Sequence, residues 1–221
     1  MTPIRVIHVD DEPDFADLTA IHLERERDDF EVVTATSAME GLEHLAESDI
    51  DCIVSDYDMP GMDGLEFLET VREDYPDLPF ILFTGRGSEE IASKAITAGV
   101  NAYLNKGTGT DQYTVLANRI SNAVAQYRAE RELEATQARF QSLTQNTTLG
   151  VVTIGEDSTV QFANDAVFDL FGYTPEELVG KSLSTVIPDR FETAHFEAID
   201  RYLQTGEKGL NWEWIDRKSV V

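Results

Sequence analysis

Cys52-Ile53-Val54-Ser55-Asp56-Tyr57-Asp58-Met59-Pro60-Gly61-Met62-Asp63-Gly64 is the stretch on which the fold of the first half of the chain turns. Cys52 to Ser55 reads as a short central strand with Asp56 at its end, and just beyond, Leu65, Leu68 and Val71 share one helical face. The alternation extends in both directions. Strands are expected at Arg5 to Val9, Glu31 to Ala35, Phe80 to Thr84 and Ala102 to Leu104. Between them, Phe15, Leu18, Ile21 and His22 fall on one helical face, and Ile91, Ala95 and Ala98 on another. Such repetition builds βαβ units, so about the first 125 residues are read as an α/β domain: a doubly wound, five-stranded parallel sheet with five helices. His22 has no partner cluster nearby and is read as a packed or half-exposed helix residue, not a ligand.

In open parallel sheets the ligand site forms at the carboxyl ends of the strands. There Asp10 and Asp11 end the first strand, Asp56 the third and Thr84 the fourth, and Lys106 follows the fifth. Three carboxylates held together repel and raise one another's pKa unless a cation neutralises them. A hard ion such as Mg²⁺ suits the set, because it takes one or two carboxylates, keeps several waters and leaves room for a phosphate. The Asp56 carboxylate can then attack a phosphoryl group, with Mg²⁺ and the Lys106 ammonium offsetting charge on its oxygens and Thr84 hydrogen-bonding one of them. With 42 acids among 221 residues, surface acids are common; acids at two strand ends with a threonine and a lysine at two others are hard to obtain by chance.

Those acids face only 17 bases, and the net charge of -25 repels nucleic-acid phosphates and anionic membrane surfaces. A DNA-reading output domain is not expected. No run of about 18 apolar residues is present for a membrane span, and Met1 to Asp10 has neither a basic n-region nor a small-residue cleavage site, so a cytoplasmic location is expected. Cys52, the only cysteine, excludes an internal disulfide and a cysteine-based zinc site and is read as a small core residue. Only five of the bases are lysines; so acidic and lysine-poor a surface suits concentrated salt, where screening shortens self-repulsion, and it resembles proteins of extreme halophilic archaea.

Val9-Asp10-Asp11, Ser55 to Gly64, Phe83-Thr84-Gly85 and Tyr103-Leu104-Asn105-Lys106 together resemble the response-regulator receiver family, whose fold is flavodoxin-like. The resemblance covers slightly more than half the chain and implies a two-component phosphorelay in which a partner histidine kinase is the phosphodonor and Asp56 the phosphoacceptor. By it, Asp11 and Asp56 ligate Mg²⁺ with the backbone carbonyl of Asp58, and Asp10 assists through water. Thr84 and Tyr103 are implied to be a switch pair, the hydroxyl drawn inward on phosphorylation and the ring following, which reshapes the surface around the fourth helix and fifth strand. Arg86 and Asp58 stand where the family tunes dephosphorylation. Gly107 departs from the usual proline after the lysine, removing a cis-proline constraint, so looser positioning of Lys106 is expected. Gly85 departs from the usual alanine but keeps the small side chain that phosphodonor access requires. Beyond self-catalysed phosphorylation and dephosphorylation, no enzyme activity is expected.

From Asp111 the helical pattern runs through Leu116, Ile120, Ala123 and Tyr127 into Arg128 to Arg139 with no Pro or Gly to stop it, and one long helix is expected up to Asn146. Leu133 and Phe140 suit a short coiled-coil seam, so a homodimer through this helix or the second domain is an expected arrangement. The chain is divided accordingly into a receiver at 1–124, a helical linker at 125–145 and a second domain at 146–221.

That second domain is read with strands at Gly150 to Ile154 and Thr159 to Phe162 and a helix near Thr193 to Leu203. Phe162-Ala163-Asn164-Asp165-Ala166 and Phe171 to Leu183 resemble the first half of a PAS domain, an α+β fold; Pro175 fits a first helical turn with Thr174 as its N-cap. Trp212 to Ile215 reads as a further strand, and the family's last two strands are missing, so the domain is expected to be incomplete at its C-terminus, with an exposed sheet edge. Which ligand the PAS domain takes is unknown, and none is expected. Cys52 lies in the receiver, which excludes a cysteine-adduct flavin. His195, seven residues before Tyr202, has a spacing similar to that around the haem ligand of oxygen-sensing PAS proteins, but also similar to many without haem. The whole resembles haloarchaeal receiver-PAS signalling proteins. Two enzyme readings compete. Asp56-Tyr57-Asp58 resembles the nucleophile and acid pair of haloacid-dehalogenase-like phosphatases, which place it after their first strand and lack a separate pair such as Asp10-Asp11. A histidine kinase is not encoded, because His8, His22, His44 and His195 sit in no phosphoacceptor helix motif and no Gly-rich ATP-binding region follows.

Overall fold

The computed structural model describes residues 2–85, 89–145 and 147–206. The chain divides into two compact units that part after Leu133. The first contains β1 (Ile4–Val9), α1 (Pro13–Glu26), β2 (Phe30–Ala35), α2 (Ala38–Glu47), β3 (Cys52–Ser55), α3 (Gly64–Asp74), β4 (Phe80–Thr84), α4 (Glu89–Ala98) and β5 (Ala102–Asn105), and leads into α5 (Asp111–Gln145). The sheet is parallel throughout, in the order β2-β1-β3-β4-β5, the doubly wound arrangement expected from the alternation.

The period of two along each strand sorts the core. Ile7, Val9, Ile53, Phe80 and Leu82 face one side, where they pack with Leu45, Phe67, Leu68, Val71 and Ala95. Val6, Cys52, Val54, Ile81 and Phe83 face the other and meet Leu23, Leu116, Ile120 and Val124. Helices cover both faces, which is why the central strands carry almost no polar side; each fully buried Leu, Ile or Phe contributes about 1.5–3 kcal/mol.

α1 turns a different face to the sheet from the one expected. Ala16, Thr19 and Leu23 are buried, with Phe15 and His22 at the margin, whereas Leu18 and Ile21 are 46% and 49% exposed. At about 100° per residue the buried three share one arc and Ile21 lies across from it. Small residues at positions 16 and 19 let the helix lie close to the sheet, and the bulkier pair is left to solvent. His22 stacks on Tyr113 with ring centroids 4.3 Å apart, in keeping with its reading as a packed residue. Strand ends differ by a residue from those expected, because pairing begins at Ile4 with Phe30 and ends at Thr84 with Asn105.

The first half of α5 is anchored by buried Tyr113, Leu116, Ile120 and Val124. One turn further, Arg128 forks onto Asp51, Nε at 3.1 Å and Nη2 at 2.8 Å, and Nη2 also donates to the Pro3 carbonyl at 2.6 Å. Among the described residues, no helix is long and apolar enough to cross a membrane.

The second unit contains the antiparallel pair β6 (Val152–Ile154) and β7 (Val160–Ala163), then α6 (Ala166–Phe171), α7 (Pro175–Leu178) and α8 (Asp189–Thr205). β6 begins two residues later than expected and ends where expected, β7 is shifted by one residue, and α8 begins four residues earlier than its apolar pattern, at acids that suit a helix N-terminus. Val160, Ala163, Val167 and Leu178 form the core. Thr174 and Glu177 complete a capping box over Pro175. Asn164, nearly fully buried, accepts from the Val151 N–H at 2.7 Å and donates to the carbonyls of Thr144 (2.6 Å) and Leu149 (2.9 Å), tying the last turn of α5 to the hairpin. Both expected seam residues, Leu133 and Phe140, are exposed, and the Phe140 ring also meets Phe162 with centroids 5.0 Å apart. The strand expected at Trp212 to Ile215 lies outside the described residues.

Candidate functional site

Parallel strands end side by side, so the sheet delivers the residues after β1, β3, β4 and β5 to one edge. Asp10 and Asp11 follow β1, Asp56 follows β3, Thr84 closes β4 and Lys106 follows β5. One carboxylate oxygen from each of Asp10, Asp11 and Asp56 lies within 4.8 Å of the others. Asp10 and Asp56 are buried and Asp11 half-buried, so the cluster opens to solvent on the Asp11 side.

Lys106 joins two of the three. Its Nζ donates to Oδ2 of Asp56 at 2.7 Å and pairs with Oδ2 of Asp10 at 2.7 Å, off the line of a directed hydrogen bond. Nζ also lies 4.5 Å from the centroid of the Phe15 ring. The other Asp56 oxygen accepts from the Tyr57 N–H at 2.6 Å, and the Thr84 hydroxyl hydrogen-bonds the same carboxylate. Burial alone pushes the Asp56 carboxyl up, but Lys106, Thr84 and the Tyr57 N–H outweigh it and hold the pKa below the ordinary value. For Asp10 the balance reverses: burial raises its pKa and the Lys106 ammonium only partly offsets that. Burial would lower the Lys106 pKa, yet the two carboxylates raise it, so the ammonium stays charged.

The strand end that carries Asp56 is braced from the far side. The Tyr57 carbonyl accepts from Gly64 at 2.9 Å, and Asp63 starts α3 with a capping box to Glu66. Asp58 is exposed in the loop between. Tyr103 pairs with Leu82 across β4 and β5; its ring is half-buried against the core and its hydroxyl is buried with no hydrogen-bond partner among the described residues. Arg86 lies outside the described residues. His195 is in the second unit, where its Nε2 sits 2.7 Å from the hydroxyl of buried Ser158.

The parts played by three residues were not read from the sequence. His8 on β1 is fully buried beneath the pocket, Nδ1 3.4 Å from the Ala16 carbonyl and Nε2 3.7 Å from Asp10 Oδ2. Burial brings its pKa down to about 4, so the ring is neutral. The available signal was a polar residue among the apolar residues of β1, two positions before an acid pair. Gly64 lies against the backbone of Asp56 and Tyr57. Gln112, in the first turn of α5, accepts from the Gly107 N–H at 2.6 Å.

The response regulator receiver domain family matches residues 6–118, more than half of the chain, and the PAS fold matches residues 138–218. A putative response regulator, NtrX-like, of Rickettsia bellii is 30% identical over 151 residues, 67% of this chain and 31% of that protein. Response regulator Rre1 of Synechocystis sp. is 28% identical over 177 residues, 79% of this chain and 74% of its own length. The chain therefore spans less than a third of the first relative and about three quarters of the second. A solved receiver domain protein from Clostridium thermocellum matches with a TM-score of 0.52 at 28% identity, over 57% of this chain and 98% of that one. The chain belongs to the response regulator receiver family, carries a PAS fold after its receiver domain, and is thereby a protein of two-component signalling.

Proposed function

We propose that this protein is a phosphoacceptor switch in which Asp56 takes a phosphoryl group from a partner histidine kinase and the PAS domain receives or integrates the result. The observation that carries the reading is the cluster of Asp10, Asp11 and Asp56, with Lys106 reaching two of its members. An all-oxygen donor set open on one side fits a hard divalent ion, and we assign Mg²⁺ to Asp11, Asp56 and the Asp58 carbonyl, with Asp10 assisting through water. When bound, Mg²⁺ supplies neutralisation of phosphoryl oxygens. The depressed pKa of Asp56 keeps it ionised and nucleophilic. One of its oxygens bonds to phosphorus as the bond from phosphorus to the donor's imidazole nitrogen breaks, that nitrogen leaving with the electron pair. Lys106 balances the charge delivered into the pocket. Thr84, already bonded to Asp56, follows the phosphoryl oxygen, and Tyr103, whose hydroxyl has no hydrogen bond to break among the described residues, follows Thr84.

In this reading residues 1–124 are the receiver, 125–145 the helical linker and 146–221 the PAS domain, and exposed Leu133 belongs to a dimer seam. His195 ties α8 to the β6–β7 turn through Ser158 and holds no haem. Turnover of phosphate esters is not part of the function.

Acetyl phosphate with Mg²⁺ in high salt should add one phosphoryl group, acid-stable and base-labile, to the intact protein by mass spectrometry. The gain should vanish in Asp56→Asn and on chelation of the metal. Uptake that persists in Asp56→Asn would move the acceptor elsewhere, and a folded wild type that takes nothing from acetyl phosphate or a cognate kinase would sink the reading.

A further inference from the structure

Lys106 acts from a loop that has little reason to hold still. Its own N–H is fixed to the Thr84 carbonyl at 2.8 Å, but Gly107-Thr108-Gly109 follows at once, and glycine has the widest backbone freedom of any residue. A Cβ at Gly109 would meet nothing within 4 Å. At Gly107 it would meet one residue, Gln112, whose Oε1 and Cβ lie 3.8 and 3.9 Å away. The same Oε1 takes the Gly107 N–H at 2.6 Å. Gln112 is itself well fixed, because its neighbour Tyr113 is buried, stacks on His22 and bonds back to Thr110.

We propose that Gln112 is the positioning residue of the phosphoryl site: by holding the Gly107 N–H it fixes the loop whose lysine must reach Asp10 and Asp56 together. This rests on the reading of Asp56 as phosphoacceptor. It assigns to one side chain on α5 the restraint that the backbone of Gly107 lacks. On this proposal, the restraint that a proline would place in the backbone after Lys106 is supplied instead by a side-chain hydrogen bond.

The test compares wild type with Gln112→Leu, which keeps the bulk and loses the acceptor, and Gln112→Glu, which keeps an acceptor oxygen. In Gln112→Leu, exchange of the Gly107 amide proton should quicken about tenfold, and the maximal rate of phosphorylation by acetyl phosphate should fall about fivefold. The half-saturating acetyl phosphate concentration and the melting temperature should stay near wild type, since substrate contacts and the core are untouched. Gln112→Glu should restore both the exchange and the rate. Wild-type rates in Gln112→Leu, or a Gln112→Glu as impaired as Gln112→Leu, would overturn the proposal. If the wild type itself takes up no phosphoryl group, the functional reading falls instead, and Gly107 exchange alone then decides whether Gln112 fixes the loop.

Discussion

Gly64→Ala is expected to destabilise the receiver domain by about 3 kcal/mol, seen as a lower urea midpoint with an unchanged slope. The missing Cβ of Gly64 points at the Asp56 carbonyl, with Leu82 Cδ2 2.8 Å and Tyr57 Cα 3.0 Å away. Leu82 has a rotamer to change, but the other two atoms are backbone and cannot turn aside. They are close because the Gly64 N–H bonds the Tyr57 carbonyl, which presses the first turn of α3 onto the end of β3. Alanine must part the helix from the strand end that bears Asp56, so slower phosphoryl uptake should accompany the lost stability. A midpoint equal to wild type would mean that this junction yields freely.

The second large effect concerns acid. The His8 pKa is about 4 in the folded protein against 6.5 ordinarily; burial is the main cause, and the hydrogen bond to the Ala16 carbonyl opposes it only in part. As pH falls, the unfolded chain takes up this proton first, so the stabilisation is complete above about pH 6.5 and is lost as pH drops toward 4. A difference of that size corresponds to about 3 kcal/mol. In chelator-treated buffer, wild-type stability should therefore fall more steeply from pH 6.5 to 4 than that of His8→Val, by about 3 kcal/mol over the window. Asp10, whose pKa burial raises, pulls the other way, so the difference between the two proteins is the diagnostic quantity. Parallel curves would show that the imidazole is charged or solvated in the native state.

What the sequence disclosed followed from period and position. Strand-helix alternation specifies a parallel sheet, and a parallel sheet specifies where its strand-end acids converge, so Asp10, Asp11, Asp56, Thr84 and Lys106 were legible as a group. Local chemistry was legible too, as at Thr174 and Pro175. The face of α1 was not, because Leu18 and Ile21 outrank Ala16 and Thr19 in hydrophobicity, while a helix lying close on a sheet selects for size. His8, Gly64 and Gln112 matter through neighbours far along the chain or through a backbone approach, and neither leaves a periodic trace. Phe140 fitted a heptad, and its contact with Phe162 is one that only the packing of the hairpin reveals.

Cys52 lies fully buried in β3, the strand that leads to Asp56, and burial pushes its thiol pKa far up. A thiol reagent meets neither an accessible sulfur nor a thiolate there while the strand is in place. Because no other cysteine competes, each labelling event counts one opening of the central strand. The protein thus carries its own clock for local unfolding, readable in any salt, with or without a phosphoryl group at the end of the same strand.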